Sequence, residues 1–516
     1  MSMQILDCTL RDGGYINDWR FGRRAITAIL DKLERANIDI IECGFLTGMV
    51  HEEECSLFSN AQAIEPVLPR EERRAMYVAM IAMGEKELQP QKLQPWNGRS
   101  IDGIRLTFHK HEILKAIQWA QIIQDKGYKV FMQPVGSVFY SDIELLSLVE
   151  RMNRLRPYAF YIVDTLGSMY RNDVSHRFYL IDQNMDPEIH LGFHGHNNLQ
   201  LAFSNAQVLG KIQTKRTLIL DSSVYGMGRG AGNLPTELIA QYINKNIASK
   251  YDVSMVMDIY DEYIRPIRRQ FEWGYTMAYH IAASEVCHPN YASYLINKQT
   301  LTTKDMEKII QSIPRKSRVL YDQQLIERLY SQFQSRKIDD REAVEQLEEL
   351  IRGRALLLLA PGESLAQRRE EIEAFIREKV PYVIAVNFAD QQLPLDACFF
   401  SNHKRLERVT REGAQLSQVQ LILTSNLSAG QPCLQVDYDS YTSDEGLVFD
   451  NAGLMLLKLL RRCGAQEVYL AGFDGFPGQE FRQQQEMMGE QLRELERSLA
   501  LHFLTPSPYQ REEQNV

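Results

Sequence analysis

Between residue 4 and about residue 246, short apolar runs recur along the chain: QILDCTL, IDIIECGF, AMYVAMIA, GIRLTF, KVFMQPV, AFYIVDT, IHLGFHGH and LILDSSVYG. Each has the length and near-continuous hydrophobicity of a strand buried on both faces, so eight parallel strands are expected. Between them lie segments such as RRAITAILDKLERAN, HEILKAIQWAQIIQDKG and DIELLSLVERMNRL. Their apolar residues recur every three to four positions, which predicts amphipathic helices. Eight β/α units in this span predict an α/β fold, a TIM (β/α)8 barrel, over residues 1–248.

Downstream the period changes. Residues 249–335 read as a mainly helical appendage, and the charged stretch SRKIDDREAVEQLEELIRGR predicts a connecting helix over 336–353. From RALLLLAPGESL onward, PYVIAVNF, DACFFSN, QVQLILTSN, CLQVDYD and AGLMLLKLLRRCGAQEVYLAGFDGF alternate strand-like and helical patterns. They predict a second, smaller Rossmann-like α/β domain over 354–516, with a polar end, SPYQREEQNV, expected to fray. A length of 516 residues fits two or three domains.

Composition narrows the partners. A net charge of −9 gives no general attraction to nucleic acid or to an anionic membrane, and neither is expected as a partner. The first residues lack a basic region followed by a long apolar one, and no stretch is long and apolar enough to span a bilayer, so a cytoplasmic protein is expected. Seven scattered cysteines without a C-x-x-C pair read as reduced thiols, with Cys8 and Cys43 as small buried residues.

In a TIM barrel the chemistry lies at the C-terminal ends of the strands, and the polar residues of these runs sit there. Arg11 and Asp12 end the first strand, Glu42 lies in the second, Gln133 ends the fifth, Asp164 and Thr165 end the sixth, and His194 and His196 end the seventh. On an extended strand residues i and i+2 share a face, so both imidazoles can reach one cation while Gly195 turns away. Barrel closure would bring the Asp12 carboxylate to the pair. Two histidines and a carboxylate suit Mn²⁺, Mg²⁺, Fe²⁺, Co²⁺ or Zn²⁺ acting as a Lewis acid. In the second domain, the turn Pro361-Gly362-Glu363-Ser364 follows a buried strand and precedes a helix, where backbone N–H groups can hold phosphate or the glycine can serve packing alone. Gly362, Ser364 and Asp474 are the candidate cofactor contacts there.

With these residues laid out, the barrel resembles the DRE-TIM metallolyase family, which includes 4-hydroxy-2-oxovalerate aldolase, HMG-CoA lyase and the isopropylmalate and homocitrate synthases. TLRDG, GFHGHNN and GMGRGAGNLPTE match in order over roughly residues 4–335, with Glu42 as the expected acid. The resemblance implies a divalent metal, Mn²⁺ first with Mg²⁺, Co²⁺ or Zn²⁺ as alternatives, held by Asp12, His194 and His196, with Asn233 as a further or outer ligand. It implies that Arg11, oriented by Glu42, stabilises an enolate.

Departures choose among family members. The loop cysteine of HMG-CoA lyase, nine positions before the GN asparagine, is Val224 here. The histidine that serves the microbial aldolases as acid/base, four residues after the strand-1 arginine, is Tyr15, and an ordinary phenol titrates at about 10. WGYTMAY is similar to the aldolases' Gly-Tyr segment and offers Tyr275 first and Tyr279 second, the alternative being helix-packing aromatics. The expected activity is aldolase-type cleavage or formation of 4-hydroxy-2-oxo acids through a pyruvate enolate, in polysaccharide or sugar-acid metabolism. The alternative is a Claisen-type condensation of an acyl-CoA with a 2-oxo acid. The C-terminal domain faintly resembles Rossmann-like sialyltransferases, which implies a nucleotide-sugar partner and, as a third reading, a transferase with the barrel as scaffold. Microbial aldolases also bind an acylating aldehyde dehydrogenase, so the resemblance implies such a partner here, and a homo-oligomer is expected.

Overall fold

A computed structural model describes residues 2–510 apart from 71–72, 85–87, 391, 412–415, 429, 443–449 and 477–481; the last stretch of the polar C-terminal end, 511–516, lies outside the described residues. The chain forms two compact units. One spans Met1–Ser293 and Pro314–Tyr321, the other Tyr294–Ile313 and Asp322–Val516, so the helical stretch after the barrel contributes to both.

In the first unit β1 (Ser2–Asp7), β2 (Ile40–Leu46), β3 (Leu57–Phe58), β4 (Met76–Ala82), β5 (Gly103–Phe108), β6 (Lys129–Pro134), β7 (Ala159–Asp164), β8 (His190–Gly195) and β9 (Thr217–Ser222) follow in order. All pair in parallel, and β1 pairs with both β2 and β9, closing eight strands into a TIM barrel. The two-residue β3, which the hydrophobic pattern did not announce, pairs with the end of β2.

Alternation along each strand separates two cores. Leu6, Ile40, Val78, Phe131, Ala159, Tyr161 and Ile219 fill the barrel interior, whereas Ile5, Ile41, Ile104 and Leu218 pack outward with the helices, among them Ile29 and Leu33 of Arg23–Arg35. Gly192 is required by this filling, since a Cβ there would lie 2.3 Å from Cζ of the Tyr161 ring. On β2 the register with β4 shifts between Glu42 and Phe45, where Gly44 adopts φ +146°. A bulge of this kind re-aims nearby side chains.

The second unit carries a seven-stranded parallel sheet in the order β14-β13-β12-β11-β10-β15-β16, with β10 at Leu356–Leu359, β11 at Tyr382–Val386, β12 at Ala397–Phe400, β13 at Gln420–Thr424, β14 at Leu434–Val436, β15 at Glu467–Ala471 and β16 at Ala500–Phe503. β10 reads Leu-Leu-Leu-Leu because both faces of a central parallel strand are covered. The order reverses between β10 and β15, so the loops leaving these two strands diverge and open a crevice at their C-terminal ends. Among the described residues, no helix is long and apolar enough to cross a membrane.

Candidate metal centre

β1 ends at Asp7, earlier than the apolar run suggests, and Thr9–Asp12 forms one helical turn above it. The turn is held by Asp12 N–H donating to the Cys8 carbonyl at 2.8 Å and by Thr9 N–H donating to Asp7 Oδ1 at 2.9 Å. On a strand, neighbours such as Arg11 and Asp12 would point to opposite faces; a helical turn lets both face the barrel mouth.

Across the barrel, His194 is in β8 and His196 just past it, bridged to Asn233. The two imidazole rings stand 5.1 Å apart at 89°. One ligand atom from each of Asp12, His194 and His196 lies within 4.8 Å of the others, and all three residues are buried. Asn233 Nδ2 donates to Asp12 Oδ2 at 2.5 Å, fixing the carboxylate, while Asn233 Oδ1 and His196 Nδ1 are buried without hydrogen-bond partners. Buried polar atoms are almost always satisfied, and two orphans beside a His-His-Asp cluster fit a bound divalent cation.

The surroundings set the protonation states. Burial raises the Asp12 pKa, but positive charge around it, Arg11 foremost and Arg229 after it, outweighs burial and holds the carboxyl well below the usual range, so Asp12 is an anion. Burial lowers His196 to about 3, against the pull of Asp12, leaving a neutral imidazole. His194 Nδ1 meets Asp221 Oδ2 at 3.0 Å; an ionised carboxylate only accepts, so Nδ1 carries the proton and Nε2 remains a ligand atom.

Arg11 is clamped by its own neighbours. Nε donates to Glu42 Oε2 at 2.9 Å and Nη1 to Asp12 Oδ1 at 2.5 Å, whereas Nη2 is buried without a partner. Glu42 Oε2 also accepts from Arg105 Nη1 at 2.6 Å, and Arg105 Nη2 donates to Asp221. Arg105 and Asp221 were not singled out from sequence, although a charge interrupting the apolar runs GIRLTF and LILDSS was the available signal. They turn the site into one network, from Asp12 through Arg11, Glu42, Arg105 and Asp221 to His194. Gln133, with its amide oxygen turned toward Arg105, accepts from Arg105 Nε at 2.7 Å.

Asp164 serves its own loop, accepting from Ser168 and Met169 N–H at 2.9 and 3.0 Å, and burial raises its pKa to about 6. Tyr15 lies at the mouth, its ring 4.8 Å from Trp19 and 6.2 Å from Phe45. Tyr275 is half-exposed, with its hydroxyl 3.6 Å from Met277 Sδ, and Tyr279 bonds Ser293 at 3.0 Å; neither meets the ligand cluster in these contacts. Val224 is buried in the short turn after β9.

In the second unit a cleft of about 900 Å³ opens at the strand ends, and Gly362, Asn387, Asn402 and Gly472 are among its lining residues. The Ser364 N–H expected to face a phosphate there is already used, donating to Asp474 Oδ2 at 2.7 Å, and the Ser364 hydroxyl donates to the same carboxylate. A Cβ on Gly362 would lie 2.3 Å from the Gly472 carbonyl oxygen, so the close approach of these two loops requires glycine there.

Residues 104–262 match the HMGL-like family. A 4-hydroxy-2-oxovalerate aldolase of Geobacillus genomosp. 3 is 28% identical over 273 residues, 52% of this chain and 78% of that protein. The 4-hydroxy-2-oxovalerate aldolase 6 of Rhodococcus jostii is 24% identical over 51% of this chain and 74% of its own length. An HMG-CoA lyase structure from Brucella melitensis aligns with a TM-score of 0.41 at 14% identity, covering 52% of this chain and 99% of that one. Over residues 104–262 the barrel of this chain is similar to HMGL-like domains, which are of the DRE-TIM metallolyase type.

Proposed function

We propose that this protein is a divalent-metal-dependent aldolase-type lyase that cleaves or forms 4-hydroxy-2-oxo acids through a pyruvate enolate. The observation that carries the reading is the convergence of Asp12, His194 and His196 within 4.8 Å, beside an arginine that keeps one donor unspent. Mn²⁺, or Mg²⁺, Co²⁺ or Zn²⁺, held by these three residues with Asn233 Oδ1 as a further oxygen, would supply Lewis-acid polarisation of the carboxylate and keto oxygens of a 2-oxo acid.

The residues do the rest. Asn233 and Arg11 hold the two oxygens of Asp12 in place, and Asp221 holds the His194 tautomer. Arg11 Nη2 is the donor for the oxygen on which negative charge develops, and because Glu42 and Asp12 fix the guanidinium beforehand, little reorganisation is needed when that charge appears. Tyr15, at the position where the aldolases carry histidine, is the acid/base for the 4-hydroxyl proton. Aldolase relatives covering about half of this chain support a carbon–carbon lyase.

The test is the methyl signal of pyruvate in D₂O, followed by proton NMR with the full-length protein and Mn²⁺, quenched and stripped of metal before measurement, against a chelated control. Metal-dependent loss of the signal is expected, followed by aldehyde-dependent consumption of pyruvate. Absence of both, with thiol release from acetyl-CoA in the presence of a 2-oxo acid, would replace the aldolase with a condensing enzyme.

A further inference from the structure

Arg229 lies at the barrel mouth, in the loop between β9 and the helix Thr236–Asn246. Its guanidinium sits 4.9 Å from the centre of the Tyr15 ring, its Nε is buried without a hydrogen-bond partner, and among the described residues no carboxylate pairs with it. Its backbone is held against the ligand cluster: a Cβ on Gly228 would lie 2.7 Å from Asp12 Oδ2, and one on Gly230 would lie 2.7 Å from Asn198 Oδ1. The Arg229 carbonyl accepts from Gly232 N–H at 3.1 Å. Nearby, His288 is buried, and burial together with Arg229, His196 and His109 keeps it neutral, so it adds no second positive charge beside Arg229.

Charge balance gives this cation a meaning. Within the hydrogen-bonded network, Arg11 and Arg105 against Asp12, Glu42 and Asp221 leave one negative charge. A divalent cation converts that to one positive charge, which the carboxylate of a 2-oxo acid neutralises. Arg229 is left over. A half-buried guanidinium with a π contact and only a longer-range attraction to Asp12 is poorly compensated for the water it has lost, and an anion on the substrate would compensate it.

Resting on the aldolase reading above, we infer that Arg229 forms a second anion subsite, and that the substrate is a 4-hydroxy-2-oxo acid with a carboxylate or phosphate on the fragment released as the aldehyde. In cleavage the 4-hydroxyl proton passes to the base, its oxygen forms the aldehyde carbonyl, and the C3–C4 electron pair becomes the pyruvate enolate, which takes a proton at C3. From 4-hydroxy-2-oxoglutarate the products are pyruvate and glyoxylate.

Two measurements on the full-length, Mn²⁺-loaded protein test the subsite. The first compares kcat/KM for 4-hydroxy-2-oxoglutarate, a phosphate-ended 4-hydroxy-2-oxo acid and the methyl-ended 4-hydroxy-2-oxovalerate. A preference of about ten- to hundred-fold for one of the anionic substrates is expected, and which of the two wins identifies the group. Arg229→Met should collapse that ratio toward one, and Arg229→Lys should retain some of it. The second needs no turnover: the affinity of 2-oxoglutarate is compared with that of 2-oxopentanoate, neither of which has a 4-hydroxyl to cleave. Wild type should bind the dianion more tightly, and folded Arg229→Met should not. Equal affinities in wild type, or an anion preference that survives Arg229→Met, overturn the subsite whether or not pyruvate exchanges its protons. Failure of pyruvate exchange with the binding preference intact overturns the aldolase reading alone.

Discussion

Asp221 Oδ2 accepts from His194 Nδ1 at 3.0 Å and also from Arg105, so one oxygen sets the histidine tautomer and anchors a fully buried guanidinium. Partners of this kind typically account for a factor of about 10 to 100 in metal affinity. Asp221→Asn should therefore weaken Mn²⁺ binding by about that factor in competition with a chelating dye, and unchanged affinity would show that Asp221 does not orient the ligand. A second buried acid gives a pH signature. Burial raises the Asp7 pKa to about 6 against the hydrogen bonds from Thr236 and Thr9, so between roughly pH 4 and 6 the folded state holds more protons than the unfolded chain. Stability contributed by this group is then present at low pH and lost as pH rises through that window. Asp7→Asn, which stays neutral, should gain in stability relative to wild type from about pH 4 to 6 and show a constant difference above it, as read from urea midpoints. A constant difference at all pH values would remove Asp7 as a titrating group.

Among the elements, β7 and β8 depend on one missing side chain. Tyr161 on β7 faces Gly192 on β8, its paired residue, and fills the interior that a methyl group would occupy. Gly192→Ala must push a buried aromatic ring aside or spread the paired strands, and overpacking of this sort costs about 1–3 kcal/mol. The loss should appear in urea unfolding and extend to metal affinity, because His194 lies two residues further along the same strand. Unchanged stability would mean that the interior has slack there. The helical turn Thr9–Asp12 has a matching role, since it lets Arg11 and Asp12, adjacent in sequence, serve the same site.

For the whole molecule, two compact units with separate sheets imply separable unfolding. Because the proposed ligands all belong to the barrel, Mn²⁺ should raise the melting temperature of the barrel transition and leave that of the second unit unchanged; a metal at a hundred times its Kd adds about 2.7 kcal/mol. His194→Ala should abolish the increment. A shift of both transitions, or a shift that persists in the variant, would place the metal elsewhere.

The eight apolar runs and the helical periods between them made the barrel legible, because a parallel strand covered on both faces must be apolar along its length. The i, i+2 spacing of His194 and His196 made half of the proposed ligand set visible for the same local reason. What joins them is not local. Asn233 meets Asp12 across 221 positions and Arg105 meets Asp221 across 116, contacts that exist only because β1 closes on β9. Arg105 and Asp221 lie in runs that otherwise read as core, so the pattern that reveals the strands hides their charges. In the second unit the turn at Gly362 was visible in the sequence, but the partner of its N–H was not: Asp474 reaches Ser364 because β10 and β15 are neighbours. Sequence determined the elements and the kinds of atoms available, since both follow from periodicity and residue type; closure of the barrel and strand order in the sheet decided which atoms meet, since those depend on where distant segments pack.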